Sequence, residues 1–198
     1  MKVLVACEES QVVCIAFREK GHEAYSCDLQ DCSGGRPEWH VKDDAVKALY
    51  FDNWDLVIAH PPCDRLANCG VRWLTEKEYW SELDDAIMFF NKFTRYGKMG
   101  NKIVIENPIQ HKYARAEIRK YDQIIQPYHF GHLEQKTTCL WLYGVPALAH
   151  TNNVFNEMMK LPYSERAKVH YCSPGENRSK IRSKTFKGIA KAMAEQWG

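Results

Sequence analysis

The sequence has no apolar run long enough to cross a bilayer. Its first residues, Met1–Cys7, carry one lysine and a brief hydrophobic stretch before Glu8-Glu9, which is not the layout of a secretion signal. These absences predict a cytoplasmic protein with no membrane partner. The sequence also lacks any Cys-x-x-Cys. Its eight cysteines, at positions 7, 14, 27, 32, 63, 69, 139 and 172, are scattered, and Cys27 and Cys32 stand without a second close pair. That scatter argues against a disulfide framework and against a structural zinc site, so reduced thiols and no metal are expected. No internal repeat and no low-complexity segment is present. Neither sign of charge dominates the whole chain, whose net charge is +2. The balance is uneven, however: from Lys160 to Lys191 nine Lys/Arg stand against two acids, leaving the rest net acidic. That basic stretch suits either phosphate binding or an ordinary solvated face.

What is present is enough for a core. At 198 residues and 45% hydrophobic content, the chain is too short for two full-sized domains, so one domain spanning 1–198 with a modest insert is expected. Lys2–Cys7 reads as a buried parallel strand, Val12–Lys20 as a helix stopped by Gly21, and His22–Cys27 as a second strand ending at Asp28. A turn at Ser33-Gly34-Gly35 and a helix-like stretch over Asp44–Leu49 follow. Trp54–Ala59 is a third strand, Glu76–Thr94 a long helix and Lys102–Ile105 a fourth strand. Strands alternating with helices predict an α/β protein with a doubly wound, mostly parallel sheet. Ile124–Tyr128 and Thr138–Leu142, separated by a turn at Gly131, suit an antiparallel edge. Residues 144–181 lose the pattern and form a small insert or recognition element, and 182–198 return to the core with a final amphipathic helix over Thr185–Trp197.

In open parallel sheets ligands bind beyond the carboxyl ends of the strands. Here those ends carry His60-Pro61-Pro62-Cys63, Glu106-Asn107-Pro108, Glu8-Glu9 and Asp28. Each of the two prolines fixes its own φ, which holds the following thiol on a stiff loop, as a nucleophile requires. Taken singly, Cys63 is also readable as a small buried thiol and Glu106 as a surface carboxylate or an arginine partner.

As a pair, Pro62-Cys63 and Glu106-Asn107 resemble the DNA cytosine-5 methyltransferase family, whose nucleophile lies in a Pro-Cys loop after one strand and whose glutamate lies in a Glu-Asn motif after the next. The resemblance implies the Rossmann-like fold of S-adenosylmethionine-dependent methyltransferases. It makes Cys63, Glu106 and Asn107 the catalytic group, and DNA cytosine the substrate. Asp28 falls where the family has an acid on the cofactor ribose and Asp44 where it has one near the adenine. Ser183–Ala194 resembles the final motif that returns to the cofactor pocket. On the same basis Cys7, Glu8, Glu9, Pro61 and Ser183 belong to the S-adenosylmethionine site, and Pro62, Arg65, Arg72 and Lys136 face the substrate. Asp64–Trp73 would be the lid over a flipped base. Compact chains of this kind are familiar from bacteriophages, which suggests a phage origin and a bacterial host cytoplasm.

The chain departs from the family in having Ala6-Cys7-Glu8-Glu9-Ser10 where a glycine-containing loop is expected, and Lys136 where an arginine-bearing motif is expected. Glu8 and Glu9 suit the ammonium of the cofactor or, in the more ordinary reading, an acidic first turn on a helix dipole. Two further functions fit the residues: methylation of a free cytosine nucleotide, and a catalytically silent nucleic-acid-binding protein. A zinc deaminase, which His60 and Pro62-Cys63 superficially suggest, is argued against by Leu66, where its second cysteine ligand would stand. His60, Trp73, His111, His129 and His132 are given no role by sequence alone.

Overall fold

A computed structural model describes residues 1–175 and 178–198, with the side chain of Cys69 outside the description. The short aliphatic runs become strands β1 (Lys2–Ala6), β2 (Glu23–Asp28), β3 (His40–Lys42), β4 (Leu56–Ala59), β5 (Ile103–Pro108), β6 (Gln123–Ile125) and β7 (Thr138–Tyr143). They form one seven-stranded sheet in the order β3-β2-β1-β4-β5-β7-β6. The strands from β3 across to β5 are parallel, while β7 runs antiparallel to both of its neighbours. The chain is thus α/β, with a mostly parallel sheet and an antiparallel edge, consistent with a Rossmann-like fold. The expected edge has an internal order that the sequence did not show: β7 lies inside against β5, and β6 is outermost.

The helices are α1 (Val12–Glu19), α2 (Ala45–Phe51), α3 (Val71–Glu76), α4 (Trp80–Lys98), α5 (Ala114–Glu117), α6 (Phe155–Met159), α7 (Tyr163–Arg166), α8 (Lys168–Tyr171), α9 (Arg178–Ser183) and α10 (Lys187–Trp197). Because strand side chains alternate between faces, each central strand feeds two apolar layers. Leu4, Val57, Ile103, Ile105 and Trp141 pack with Leu49, Phe90 and Phe93 on the face of α2 and α4. Val3, Val5, Ile58, Val104 and Leu140 pack with Phe17, Ile189 and Met193 on the face of α1 and α10. Both faces are covered, which is why the strands read as continuous aliphatic runs.

The chain winds from β1 outward through β2 to β3, then crosses back to β4 on the other side of β1. The reversal lies between β1 and β4, and at such a point the two following loops diverge and leave a crevice. The segments starting at Cys7 and at His60 border it.

Several expected boundaries move. The single helix expected over Glu76–Thr94 is two: α3 ends at Glu76, and α4 starts at Trp80 and runs to Lys98. Glu78, with φ 54°, breaks them, and the periodicity carried across because Leu74 and Leu83 are both buried. The strand expected over Ile124–Tyr128 stops at Ile125, since Pro127 cannot donate to a ladder and opens a 3-10 turn. β3 has no aliphatic signature, with Val41 exposed, and exists through its pairing with Ser26–Asp28. Residues 144–181 hold α6 to α8 and the start of α9, anchored by buried Leu148, Met158 and Ala167. Among the described residues no helix is long and apolar enough to cross a membrane.

Candidate active site

β4 runs straight into His60-Pro61-Pro62-Cys63. Immediately past the cysteine the chain turns back, with the Cys63 carbonyl accepting the backbone N–H of Leu66 (3.1 Å) and Ala67 (2.8 Å). Asn107, 1% exposed on β5, donates from Nδ2 to the Pro61 carbonyl at 2.8 Å. The stiff loop is therefore tied directly to the strand that carries Glu106. Cys63 itself is half-buried, between buried Pro61 and exposed Asp64.

The segment after Cys63 is stitched to the segment after β5. The Leu66 carbonyl accepts the backbone N–H of His111 (3.0 Å), the Arg65 carbonyl lies 2.8 Å from His111 Nε2, and Ala67 bridges Gln110. His111 Nδ1 accepts the Ala114 N–H, which leaves Nε2 as the donor to Arg65. His111, to which the sequence gave no role, is thus a buried clamp on the proposed lid. Arg65 pairs with its neighbour Asp64 at 3.0 Å and stacks 4.2 Å over Tyr79, while its buried Nε has no partner among the described residues. Arg72 is exposed on α3 and lies 4.1 Å over Trp73.

The feature the sequence did not reveal is His60. Its Nδ1 lies 2.7 Å from Glu106 Oε2, and the two side chains are only 12% and 13% exposed. Register explains the meeting: Ala59 pairs with Ile105 across β4 and β5, so the next residue of each strand faces the other. Burial alone would pull the imidazole down, but the hydrogen bond and charge of Glu106, with the Glu8 carboxylate, outweigh it and raise the His60 pKa. Burial would likewise push Glu106 up, yet its bond to His60 and the His60 charge hold it below the usual carboxylate range. The pair is an imidazolium and a carboxylate sharing a short, charge-assisted hydrogen bond. His60 Nε2 is buried and has no hydrogen-bond partner among the described residues.

Lys136 and the returning C-terminal segment close the other side of Glu106. A small hollow there is lined by Glu106, Lys136, Thr138, Thr185, Phe186 and Ile189. Lys136 reaches the Lys184 carbonyl at 3.4 Å, and its charge also acts on Glu106 and His60. Gly188 fixes this return, its N–H donating to His132 Nε2 at 2.9 Å. Thr185 and Phe186 thus line the hollow, whereas Ser183 ends α9 exposed, its hydroxyl on the Lys180 carbonyl at 3.2 Å. Among the described residues Ser183 and Arg72 make no hydrogen bond or ion pair to either cluster of site residues.

Beyond β1 and β2 the second group gathers. Cys7 adopts φ 59°, so a cysteine holds the left-handed turn where glycine was expected, at a cost of about 1 kcal/mol. Burial pushes its thiol well up, and the nearby Asp28, Cys27 and Asp44 add to this, which places those acids around it. Glu8 is 4% exposed and accepts the N–H of Val13 (2.7 Å) and Cys14 (3.2 Å), so its carboxylate serves the start of α1. Burial raises the Glu8 pKa against the opposing pull of His60 and those two N–H groups. Asp28 Oδ1 accepts the Gln30 N–H at 2.9 Å, and Asp44 caps α2 through Val46. Glu9 has a buried Oε2 without a partner among the described residues.

Gly34 packs onto this loop, and a Cβ there would lie 2.5 Å from Gln11 Cβ and 2.8 Å from the Ser10 carbonyl. Gln11 is fully buried, bridging the Arg36 backbone through both ends of its amide. The loop's missing glycine is compensated by a glycine from the next loop. Gly34→Ala is expected to lower stability by about 1–3 kcal/mol, read as a shifted urea midpoint, with Ser33→Ala at the exposed neighbouring position as the comparison.

The acceptors present fit S-adenosylmethionine: the buried Glu9 Oε2, without a partner among the described residues, and half-buried Asp28 can each accept from a ribose hydroxyl or a cationic amine. No protein-family model matches the chain, and no match is found among curated proteins.

Proposed function

We propose that the chain is an S-adenosylmethionine-dependent methyltransferase acting on cytosine C5 in DNA, with the sheet serving as a methyltransferase-type Rossmann fold. The observation that carries this reading is the Asn107–Pro61 bond, which fixes a Pro-Pro-Cys loop against the strand ending in a proton-bearing Glu106–His60 pair. A soft nucleophile and an acid at adjacent strand ends match what a pyrimidine ring needs for activation.

Cytosine C5 is weakly nucleophilic, so activation proceeds by addition at C6. The Cys63 thiolate forms the S–C6 bond, and the C5=C6 electron pair is released into the ring. Glu106, supplied with the proton it shares with His60, hydrogen-bonds N3 and gives up that proton as negative charge develops there. Addition leaves C5 electron-rich. Glu9, Asp28 and the loop at Cys7 would hold S-adenosylmethionine, whose sulfonium would supply an electrophilic methyl group and leave as the neutral thioether. Once C5 carries the methyl and has lost its proton to a solvent base, the S–C6 bond breaks and Cys63 leaves as thiolate. N3 then returns its proton to the Glu106–His60 pair. A duplex substrate must present the cytosine flipped from the stack, with Asp64–Trp73 as the covering segment.

The test is transfer of labelled methyl from S-adenosylmethionine to cytosine-containing DNA and, in parallel, to free cytosine nucleotides. Label in DNA that falls steeply with added salt, as counterion release requires, supports the proposal. Label in nucleotides alone moves the substrate to the free nucleotide, and label in neither contradicts the proposal.

A further inference from the structure

The segment that follows β5 does more than clamp the loop after Cys63. From Gln110 to Tyr121 it lines, together with Trp141, a cleft of about 450 Å³, a volume within the usual range for small-ligand sites. Four cations, Lys112, Arg115, Arg119 and Lys120, line it, and no carboxylate does. Arg119 is committed: its guanidinium pairs with Asp122 at 2.8 and 2.6 Å and donates to the Tyr143 hydroxyl. Lys112, Arg115 and Lys120 are exposed and enter no ion pair among the described residues. Three uncompensated like charges around one concavity repel one another and lower the energy of an anion placed among them.

A second observation points to a ligand rather than to a merely solvated patch. Gln110, 3% exposed, lines the cleft, and its buried Nε2 has no hydrogen-bond partner among the described residues. An unsatisfied buried amide costs about 1–3 kcal/mol unless an acceptor reaches it. One aromatic ring is accessible as well: Tyr121 is half-buried and lies edge-on to Trp141, ring centroids 6.0 Å apart, while Trp141 itself is 1% exposed and backs it from the core. Cations, one unused amide donor and an accessible aromatic ring together make the chemistry of a nucleotide, with phosphate on the basic rim and a flat ring or sugar against Tyr121.

We propose that this cleft, separate from the Cys63 crevice, binds a nucleotide through its phosphate, either a free nucleotide or one unit of a nucleic-acid strand. Gln110 bridges Ala67, and the Ile109 carbonyl accepts the Asn68 N–H, so an occupant here abuts the same backbone that holds the loop after Cys63.

The experiment uses thymine ligands, whose C5 already carries a methyl group and which therefore give the Cys63 chemistry no substrate. The inference is thereby tested independently of methyl transfer. The full chain is titrated by calorimetry with a short oligothymidylate, thymidine monophosphate and thymidine. Phosphate-bearing ligands are expected to bind and thymidine is not. Binding by the monophosphate identifies a free-nucleotide site, and binding by the oligonucleotide alone identifies strand backbone. The combined variant Lys112→Glu, Arg115→Glu, Lys120→Glu changes exposed positions only and is expected to weaken binding about tenfold or more. The control variant Lys160→Glu, Lys168→Glu, Lys187→Glu, in the basic stretch, is expected to weaken it much less. Absence of binding, equal affinity for thymidine, or equal weakening by the control overturns the proposal.

Discussion

Cys63→Ser is expected to lower methyl transfer to cytosine by on the order of 10³-fold or more while leaving the fold intact. The substitution is nearly isosteric and the position is half-buried, so the loop keeps its supports: the Asn107 bond to Pro61 and the turn closed by the Cys63 carbonyl are made by backbone oxygens. What changes is the nucleophile. A serine hydroxyl ionises far less readily than a thiol, and addition at C6 needs the anion. If the variant binds DNA and melts like the parent but transfers no methyl, the loss is chemical. A variant as active as the parent removes Cys63 from the mechanism.

His60→Ala is the second large effect, and it acts on both stability and pH response. Removing the imidazole leaves Glu106 buried without its counter-charge, a change that costs about 3–5 kcal/mol for buried pairs. The carboxyl answers by taking up a proton, so its pKa climbs. Methyl transfer is expected to fall about 10²-fold, because the protonated carboxyl that remains has lost the hydrogen bond to His60 that holds it in place. The sign of the pH effect follows from the two shifts. His60 is raised, so its contribution is complete below the ordinary imidazole value of 6.5 and is lost as pH rises through its folded value. Glu106 is lowered, so its contribution is complete above 4.5 and is lost as pH falls through its folded value. The difference in melting temperature between parent and His60→Ala is therefore expected to be largest between those limits and to shrink on either side. Glu8 and Lys136 also face the pair, the first favouring the imidazolium and the second opposing it. A difference that does not vary with pH contradicts the ion-pair assignment.

The strands were legible because burial on both faces leaves unbroken aliphatic runs such as Val3-Leu4-Val5 and Ile103-Val104-Ile105, and nothing local competes with that signal. β3 was not, since His40-Val41-Lys42 owes its conformation to a neighbour distant in sequence. The helix break at Glu78 escaped for the opposite reason: the pattern of buried positions is continuous across it, and the backbone reversal carries no distinctive residue type. In the site, Pro62-Cys63 and Glu106-Asn107 were visible as short motifs at strand ends. His60 was adjacent to one of them and went unassigned. Its meaning depends on register, which sets it against Glu106 only once Ala59 is known to pair with Ile105. Glu8 and Asp44 show the converse: acids placed by resemblance at a cofactor site spend oxygens on helix starts, at Val13 and Cys14 and at Val46.

The most direct measurement is capture of the covalent adduct. An oligonucleotide carrying 5-fluorocytosine, whose C5 fluorine cannot leave as a proton does, is incubated with the chain and S-adenosylmethionine, digested, and examined by mass spectrometry. The account predicts a cofactor-dependent adduct on the peptide containing Cys63, absent from Cys63→Ser. No adduct from a chain shown to bind the oligonucleotide, or an adduct on another cysteine, contradicts it.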